Sequence, residues 1–355
     1  GGEPMSVFVD IRKKLGDFTL DVKFEAEQET LALLGDSGCG KSMTLKCIAG
    51  VVRPDEGVIR INGRTVFDSA KKIDLKPQQR RVGYLFQNYA LFPNMTVAEN
   101  IMTGLERKGR MPKDERRRQA MQFVAGLRLD GLEDRYPNEL SGGQQQRTAL
   151  ARILASEPDI LLLDEPFSAL DATLRWEMEQ VVRATIAEFP GTTLLVTHDR
   201  DEVYRLSDTV AVYKDGHIDV LDEKWHLFAH PQTATAARLS GCKNLSPAHR
   251  EGDRLIADDW DISFAFPESG DNADPAWVGL RAHRFRLCGP DDPYAFEFEV
   301  VNRIEDTFSY ILQIRKRGSQ TERLIRWEIE KALHVDVPDT GYVSLPVEEI
   351  LLLRE

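Results

Sequence analysis

The chain has 355 residues, enough for one to three domains, and its 42% hydrophobic and 29% charged residues are typical of a globular protein. The formal net charge of −12 argues against a general affinity for nucleic acid or for an anionic membrane surface. No apolar run approaches the roughly 18 residues that a membrane-spanning helix needs, and the four cysteines form no CxxC pair, which favours a reduced, cytosolic compartment.

Strand-like and helix-like segments alternate over about residues 5–225. The apolar run 30–34 (TLALL) stops at a glycine and is followed by a helical pattern. The continuous apolar runs 160–163 and 192–197 are typical of strands that are buried on both faces. Between them, residues 172–189 have the apolar spacing of one helix face. Such alternation requires crossover connections, so the sequence predicts a largely parallel sheet with helices.

Two regions differ from this alternation. Residues 88–140 are polar with a helical pattern, which predicts a helical subdomain. Beyond residue 239, short aromatic and β-branched segments alternate with Gly, Pro and Asp clusters, the pattern of a small antiparallel barrel or sandwich. The segments are 262–266, 276–280, 296–301, 310–314, 324–327 and 342–345. We therefore expect an α/β domain at 5–230, a linker at 231–244 and a β-rich domain at 245–355.

The first chemical motif is the segment 35–42 (GDSGCGKS), which satisfies the pattern G-x4-G-K-[ST]. Its glycines let the loop wrap around phosphate oxygens with backbone N–H groups pointing inward, and the next helix adds the positive end of its dipole. In this pattern Lys41 reaches the β- and γ-phosphates, and the Ser42 hydroxyl binds Mg²⁺. The motif predicts a P-loop NTPase core. Its expected nucleotide-binding residues are Gly35, Asp36, Ser37, Gly38, Cys39, Gly40, Lys41, Ser42 and Met43.

An acidic pair ends the apolar run at 160–163. Asp164 and Glu165 thereby lie at the carboxyl end of a predicted buried strand, where ligands bind in open α/β sheets. Asp164 suits the coordination shell of Mg²⁺. Glu165 is then placed to orient or deprotonate an attacking water.

The third motif indicates which kind of P-loop NTPase this chain is. Residues 140–147 (LSGGQQQR) open a predicted helix with a serine and two glycines, which gives a second N-terminal anion site. With this motif the chain resembles the ATPase subunits of ABC transporters. The resemblance implies that two copies dimerise head to tail and that each signature closes on the ATP of the other copy. The residues expected to act in trans are Ser141, Gly142, Gly143, Gln144 and Asp171.

Further residues match the family in chain order. Gln87 resembles the glutamine that reaches Mg²⁺ and the attacking water, residues 168–171 (SALD) resemble the loop that crosses the dimer interface, and His198 resembles the histidine that contacts the γ-phosphate. The resemblance implies ATP and Mg²⁺ as cofactors. It implies a catalytic set of Lys41, Gln87, Glu165 and His198, and Mg²⁺ ligands Ser42, Gln87 and Asp164.

The chain departs from the family pattern at a few positions. The family stacks adenine on an aromatic residue before the phosphate loop, but here Leu15 occupies that position and Phe18 lies close by. Met43 stands where Thr or Ser is commoner, which we expect to be neutral because the hydroxyl of Ser42 is kept. Cys39 is a candidate for reaction with thiol reagents, whereas Cys47 is expected in the core.

The organisation resembles bacterial importers that use a separate binding protein, and the β-rich domain resembles the transport-associated OB fold of regulatory type. The segments 199–204, 237–244 and 278–283 resemble those of molybdate/sulfate ATPases. We therefore expect an oxyanion importer, with molybdate or tungstate favoured over sulfate. Ferric iron, a sugar or a polyamine is the alternative within the same group.

The resemblance also implies the partners. These are a second copy of the chain, transmembrane permease subunits gripped through residues 88–102, and indirectly an extracytoplasmic substrate-binding protein. Nucleic acid is not expected. The implied location is peripheral, on the cytoplasmic face of the inner membrane.

Two alternatives stay open. Non-transport ABC ATPases of DNA repair place long coiled coils between the phosphate loop and the signature, and no sustained heptads occupy that segment here. The second alternative makes the C-terminal domain a sensor of intracellular oxyanion. The residues that could contact such an anion are His249, Arg281, His283 and Arg284.

Overall fold

The computed structural model describes residues 6–106, 111–266 and 274–355. The chain divides into two compact units, one ending at Lys224 and the other running from Trp225 to Glu355. Residues 231–244, which the sequence suggested as a linker, contain a short helix and group with the second unit. The exact domain boundaries stay a prediction. Among the described residues, no helix combines the length and apolar character that a membrane crossing requires.

The first unit contains eleven strands and six helices within its described residues. In chain order they are β1 (Ser6–Leu15), β2 (Phe18–Glu27), β3 (Thr30–Gly35), α1 (Lys41–Ala49), β4 (Glu56–Ile61), β5 (Arg64–Asp68), β6 (Ile73–Asp74), β7 (Val82–Leu85), α2 (Val97–Leu105), α3 (Lys113–Gly126), α4 (Gly142–Ala155), β8 (Ile160–Asp164), α5 (Ala172–Glu188), β9 (Thr192–Thr197), α6 (Arg200–Leu206), β10 (Thr209–Lys214) and β11 (His217–Glu223).

The central sheet of this unit has the strand order β11-β10-β3-β9-β8-β7. Strands β10, β3, β9, β8 and β7 are parallel, and only the edge strand β11 is antiparallel. All residues of β3, β8 and β9 are buried, because helices or the second sheet cover both faces. The predicted parallel sheet is therefore confirmed. The carboxyl ends of its strands meet at one edge, directly after Gly35, Asp164 and Thr197.

A second, antiparallel sheet has the order β2-β1-β4-β5-β6. Strand β1 alternates buried Val7, Val9 and Ile11 with more exposed residues, and the buried side chains join the core that also contains Leu45 and Ile48 of α1. This period-2 alternation is the sequence signature of a half-buried strand. None of these five strands was predicted individually, although the alternation in β1 is visible in the sequence.

The helices α2, α3 and α4 share a second hydrophobic core with α5 and with one face of the central sheet. Two of them begin at capping boxes, formed by Thr96 with Glu99 for α2 and by Ser141 with Gln144 for α4. Helices α2 and α3 lie within residues 88–140, so the predicted helical character of this region is confirmed for its described residues. Residues 107–110 of this region lie outside the described ranges.

The second unit is mainly antiparallel β structure. Its elements are α7 (Lys224–Ala229), which starts at the unit boundary, α8 (Ala234–Leu239), β12 (Asn244–Glu251), β13 (Arg254–Ala257), β14 (Ile262–Ala265), β15 (Trp277–Leu280), β16 (Arg286–Cys288), β17 (Ala295–Glu305), β18 (Ser309–Lys316), β19 (Ile325–Glu330), β20 (Thr340–Ser344) and β21 (Ile350–Leu353). They form two five-stranded sheets, β14-β13-β12-β15-β21 and β16-β20-β17-β18-β19. Both sheets contribute to one core that includes Trp260, Phe298 and Trp327. The predicted fold class, an α/β core followed by a small all-β OB-like domain, is confirmed.

A buried arginine fixes the end of α1, the helix that follows the phosphate loop. Arg80 has no exposed surface, and its guanidinium donates to the carbonyls of Cys47 and Ile48 at 2.8 and 2.9 Å. It also binds the Asp74 carboxylate at 3.0 Å. A Cβ at Gly50, where φ is 78°, would lie 2.5 Å from the Arg80 Nε, so only glycine fits there. Arg80 therefore satisfies the carbonyls that the helix end leaves unpaired and complements the negative end of its dipole.

We expect Arg80→Met to lower the free energy of unfolding by about 3 kcal/mol, because it leaves several buried carbonyls without a donor. The matched control is Arg81→Met, since Arg81 is exposed and its side chain binds Asp159 and the Glu157 carbonyl at the surface. That control should change the free energy by less than about 0.5 kcal/mol. Urea titration of both variants measures the difference, and equal effects would contradict the capping role.

Candidate nucleotide site

The phosphate loop joins the end of β3 to the start of α1. Gly38 and Gly40 have φ values of 84° and 106°, in the left-handed region that favours glycine. A Cβ at Gly40 would also lie 2.6 Å from the Leu20 Cδ1. The loop therefore depends on glycine at residue 40 for two reasons, its backbone conformation and the close approach of Leu20. This geometry turns the chain back over the first turn of α1, as a phosphate cradle requires.

Lys41 is the buried cation of this loop. It is 5% exposed, and its Nζ donates to the carbonyls of Gly35 and Asp36, each at 2.8 Å. The Cys39 Sγ lies 3.5 Å from the same nitrogen. The ammonium group is thus held by the loop itself. Its charge lies where the sequence predicts the β- and γ-phosphates.

A hydroxyl and a carboxylate meet at the proposed Mg²⁺ position. The Ser42 Oγ donates to the Asp164 Oδ1 at 2.6 Å, and the Tyr84 hydroxyl donates to the Asp164 Oδ2 at 2.9 Å. Asp164 is 6% exposed. Oxygen donors of this kind fit Mg²⁺, a hard cation that prefers carboxylate and hydroxyl ligands.

Tyr84 is a site residue that the sequence motifs did not indicate. It lies on β7, the parallel neighbour of β8, so its side chain can reach the carboxylate that ends β8. Burial, followed by the nearby Asp164 carboxylate, raises the pKa of Tyr84 above its ordinary value. The phenol therefore remains a hydrogen-bond donor at neutral pH and fixes the orientation of Asp164.

Glu165 and His198 face each other across the ends of β8 and β9. The His198 Nδ1 lies 3.3 Å from the Glu165 Oε1, and the His198 side chain is 59% exposed. Glu165 has a φ of 46°, which is uncommon for a residue with a Cβ. Its backbone N–H donates to the Val196 carbonyl at 2.9 Å, which holds this conformation in place. Strained backbone of this kind is typical of functional sites.

Gln87 joins the same group through a serine. Its Nε2 donates to the Ser168 Oγ at 3.2 Å, and the Ser168 hydroxyl donates to the Glu165 carbonyl at 3.0 Å. The predicted catalytic and Mg²⁺ residues other than Lys41 thus lie in two hydrogen-bonded groups at one edge of the sheet, one around Asp164 and the other around Glu165, the next residue in the chain. Ser168, which was predicted only as part of the interface loop, is the connecting residue.

The residues predicted to act in trans lie at two helix starts. The backbone N–H of Ser141 donates to the Gln144 Oε1 at 2.9 Å, and its hydroxyl accepts from the Gln144 N–H at 3.3 Å. A Cβ at Gly142 would approach the Leu170 Cδ2 to 3.3 Å, and Gly143 is buried in the first turn of α4. Asp171 caps α5 by accepting from the backbone N–H groups of residues 173 and 174. Both sites are ordinary helix caps within one chain.

The strand end before His198 is held by a buried carboxyl group that the sequence did not indicate. The Thr197 Oγ1 donates to the Glu202 Oε2 at 2.5 Å and accepts from the Asp199 N–H at 3.0 Å. Burial raises the pKa of Glu202 to about 6. The Asp199 carboxylate caps α6 through the N–H groups of Asp201 and Glu202. This network fixes the backbone on both sides of His198.

The structure shows where the residues that depart from the family pattern lie. Leu15 and Phe18 pair across the β1–β2 turn, and a Cβ at Gly40 would lie 3.3 Å from the Phe18 Cζ. Phe18 thus lies beside the phosphate loop. Cys47 is fully buried, as expected for a core residue, and burial raises the pKa of its thiol to about 12.

The four oxyanion-contact candidates lie in the second unit. His249 pairs with Asp258 at 2.9 Å, and Arg284 pairs with Glu349 at 3.1 Å. The Arg281 guanidinium donates to the carbonyls of residues 228 and 240. Burial, and then the two neighbouring arginines, lower the pKa of His283. Three of the four side chains thus already bind other groups of the protein, and the sensor hypothesis stays a prediction.

Comparison with known proteins identifies the family. A family model described as ABC transporter matches residues 19–168. The sulfate/thiosulfate import ATP-binding protein CysA of Vibrio cholerae is 37% identical over 336 residues, which cover 91% of this chain and 86% of that protein. The chain belongs to the ABC transporter family of ATP-binding proteins. It is accordingly an ATPase. The CysA protein of Synechocystis sp. is also 37% identical, over 81% of this chain and 78% of its own length.

Two solved structures of the ATP-binding cassette MJ0796 have the same core fold as this ABC ATPase. One is a dimeric post-hydrolysis state bound to ADP and Pi, 30% identical, with a TM-score of 0.54 over 62% of this chain and 99% of that chain. The other is a dimer described as a bacterial ABC transporter cassette, 31% identical, with a TM-score of 0.53 over 62% of this chain and 99% of that chain.

Both CysA proteins are named for sulfate/thiosulfate import, so the expected preference for molybdate has no support.

Proposed function

We propose that this chain is the ATP-hydrolysing subunit of a bacterial importer for sulfate or thiosulfate. The similarity to named sulfate/thiosulfate import proteins along nearly the whole chain supports this substrate class. We do not propose molybdate or tungstate, which only short sequence likenesses favoured. The observation that supports the hydrolytic role is the pair of hydrogen-bonded groups at neighbouring strand ends, Ser42 with Asp164, and Gln87, Ser168 and His198 with Glu165.

In this proposal the phosphate loop binds the triphosphate of ATP. Its backbone N–H groups and the start of α1 face the phosphate oxygens, and Lys41 exchanges its bonds to loop carbonyls for bonds to the β- and γ-phosphates. Ser42, Asp164 and Gln87 would hold Mg²⁺, which would supply neutralisation of the charge that develops on the phosphates.

Glu165 is the residue that we propose acts on the attacking water. Its carboxylate orients the water or removes its proton, and His198 contacts the γ-phosphate from the end of β9. The hydrogen bond between them keeps the carboxylate directed toward the phosphate side of the sheet edge. Ser168 and Gln87 hold the backbone of Glu165 in register with the other strand ends.

The signature residues act on a second copy of the chain. Ser141, Gly142, Gly143 and Gln144 form a helix start with the positive end of the helix dipole, which suits a γ-phosphate. The two solved structures of MJ0796 are dimers, which supports a dimer of this chain. We propose that two chains clamp two ATP molecules, with Asp171 at the interface. The dimer lies at the cytoplasmic face of the inner membrane, where its closure and reopening change the conformation of transmembrane permease subunits. An extracytoplasmic binding protein delivers the substrate to these subunits.

If Glu165 acts on the attacking water, its substitution should slow ATP hydrolysis without weakening ATP binding. Glu165→Gln should lower kcat by roughly 10²–10⁴-fold, the usual contribution of general base catalysis. The affinity for ATP should stay unchanged because the phosphate loop is intact. Steady-state phosphate release and equilibrium binding of a fluorescent ATP analogue measure the two quantities. Glu177→Gln, an exposed carboxylate on α5, is the matched control. Phosphate release at the unmutated rate in Glu165→Gln would exclude this role.

The proposed substrate class predicts which anions the cell no longer takes up when the phosphate loop cannot bind ATP. In the organism that carries this chain, Lys41→Ala should abolish uptake of radiolabelled sulfate and thiosulfate, whereas Lys71→Ala, an exposed lysine paired with Asp68, should not. Uptake of molybdate is measured in parallel. If molybdate uptake were lost while sulfate and thiosulfate uptake continued, the proposed substrate class would be wrong.

A further inference from the structure

The segment after Gln87 has an unusual backbone. Tyr89 and Ala90 have φ values of 58° and 45°, so two consecutive residues with side chains adopt the left-handed conformation. For such residues this conformation costs about 1–2 kcal/mol each. The segment therefore requires contacts that hold it, and the position of Gln87 depends on those contacts.

Arg152 on α4 supplies them. Its Nη1 donates to the Ala90 carbonyl at 2.8 Å, and its Nη2 donates to the Tyr89 carbonyl at 3.1 Å. The guanidinium also lies 5.3 Å from the centre of the Phe92 ring. A planar guanidinium can bind both carbonyls at once, whereas an ammonium group cannot copy this geometry. Both strained residues are thus fastened to α4 by one side chain.

Helix α2 fastens the next part of the same segment. The Asn100 amide accepts from the Phe92 N–H at 2.9 Å and donates to the carbonyls of Phe92 and Met95 at 3.1 and 3.0 Å. Asn100 is fully buried. A Cβ at Gly104 would lie 2.2 Å from the Arg152 carbonyl oxygen, so α2 and α4 approach as closely as their backbones allow. Residues 89–95 are consequently hydrogen-bonded to both α2 and α4, which pack directly against each other.

We infer that Arg152 is a positioning residue for Gln87, which it holds in register with helix α4. The inference rests on the catalytic role proposed above for Gln87. Ser141 caps the same helix, so a shift of α4 that brings Ser141 onto the ATP of the second copy also moves the carbonyls of Tyr89 and Ala90. Gln87 follows them. Arg152 thereby couples the signature of one chain to the hydrolysis site of that same chain.

A double-mutant cycle on ATP hydrolysis tests this role. The variants are Arg152→Gln, Gln87→Ala and the double variant, each as the purified chain with ATP and Mg²⁺. Arg152→Gln should lower kcat roughly tenfold, the effect of losing charge-assisted hydrogen bonds, and leave KM for ATP within about twofold. In the double variant kcat should equal that of Gln87→Ala alone, because Arg152 acts only through Gln87.

Two further variants separate positioning from general stability. Arg152→Lys keeps the charge and can reach one carbonyl, so its kcat should lie between those of the unmutated chain and Arg152→Gln. It replaces Arg152→Gln in the cycle if that variant does not fold. Arg116→Gln is the matched control, since Arg116 lies on α3 and binds Glu106 and the Met111 carbonyl. The control should leave kcat unchanged.

The possible failures are distinguishable. If Arg152→Gln leaves kcat unchanged, or if the two single effects multiply in the double variant, the inference about Arg152 is overturned. The proposed hydrolytic mechanism survives in that case provided that Gln87→Ala itself lowers kcat. If Gln87→Ala has no effect on kcat, the proposed role of Gln87 fails and the inference fails with it.

Discussion

The parallel register of β3, β9, β8 and β7 determines where the candidate catalytic residues lie. Leu34 pairs with Thr197, Leu163 with Leu195, and Leu85 with Leu163, so the four strands end at nearly the same level. The phosphate loop, the acidic pair, His198 and Gln87 all follow these ends. A shift of one residue in any pair would turn the side chains of that strand to the opposite face of the sheet. The positions of the site residues are therefore set by the packing of largely apolar strands.

Hydrogen bonds then hold the polar groups that the register brings together. The Asp164 carboxylate is fixed from two sides by Ser42 and Tyr84, and Glu165 is fixed through its backbone and through His198. Buried polar groups with several partners cost less than unpaired ones and have fewer orientations available. These partners therefore restrict the orientations of the Asp164 and Glu165 carboxylates.

Much of this site could be predicted because its residues occur in contiguous motifs. The segments 35–42, 140–147 and 160–165 each combine a local backbone requirement with a functional group, and both are visible in the sequence. Tyr84, Ser168, Glu202 and Arg152 were not identified as contacts of the site, because their partners are distant in the chain or depend on the folded strand ends. Their importance depends on strand order and helix packing. None of the strands of the antiparallel sheet was predicted, and among them β6 has only two residues and the β4–β5 pair contains a register shift.

The proposed mechanism depends on a nucleotide clamped between the phosphate loop of one chain and the Ser141 helix start of another. The most direct test is an experimental structure of Glu165→Gln with ATP and Mg²⁺, a variant in which turnover is blocked. We expect a head-to-tail dimer in which the hydroxyl of Ser141 lies within hydrogen-bond distance, about 3 Å, of the γ-phosphate bound to the other chain. A nucleotide-loaded assembly in which Ser141 is remote from every triphosphate would contradict this mechanism.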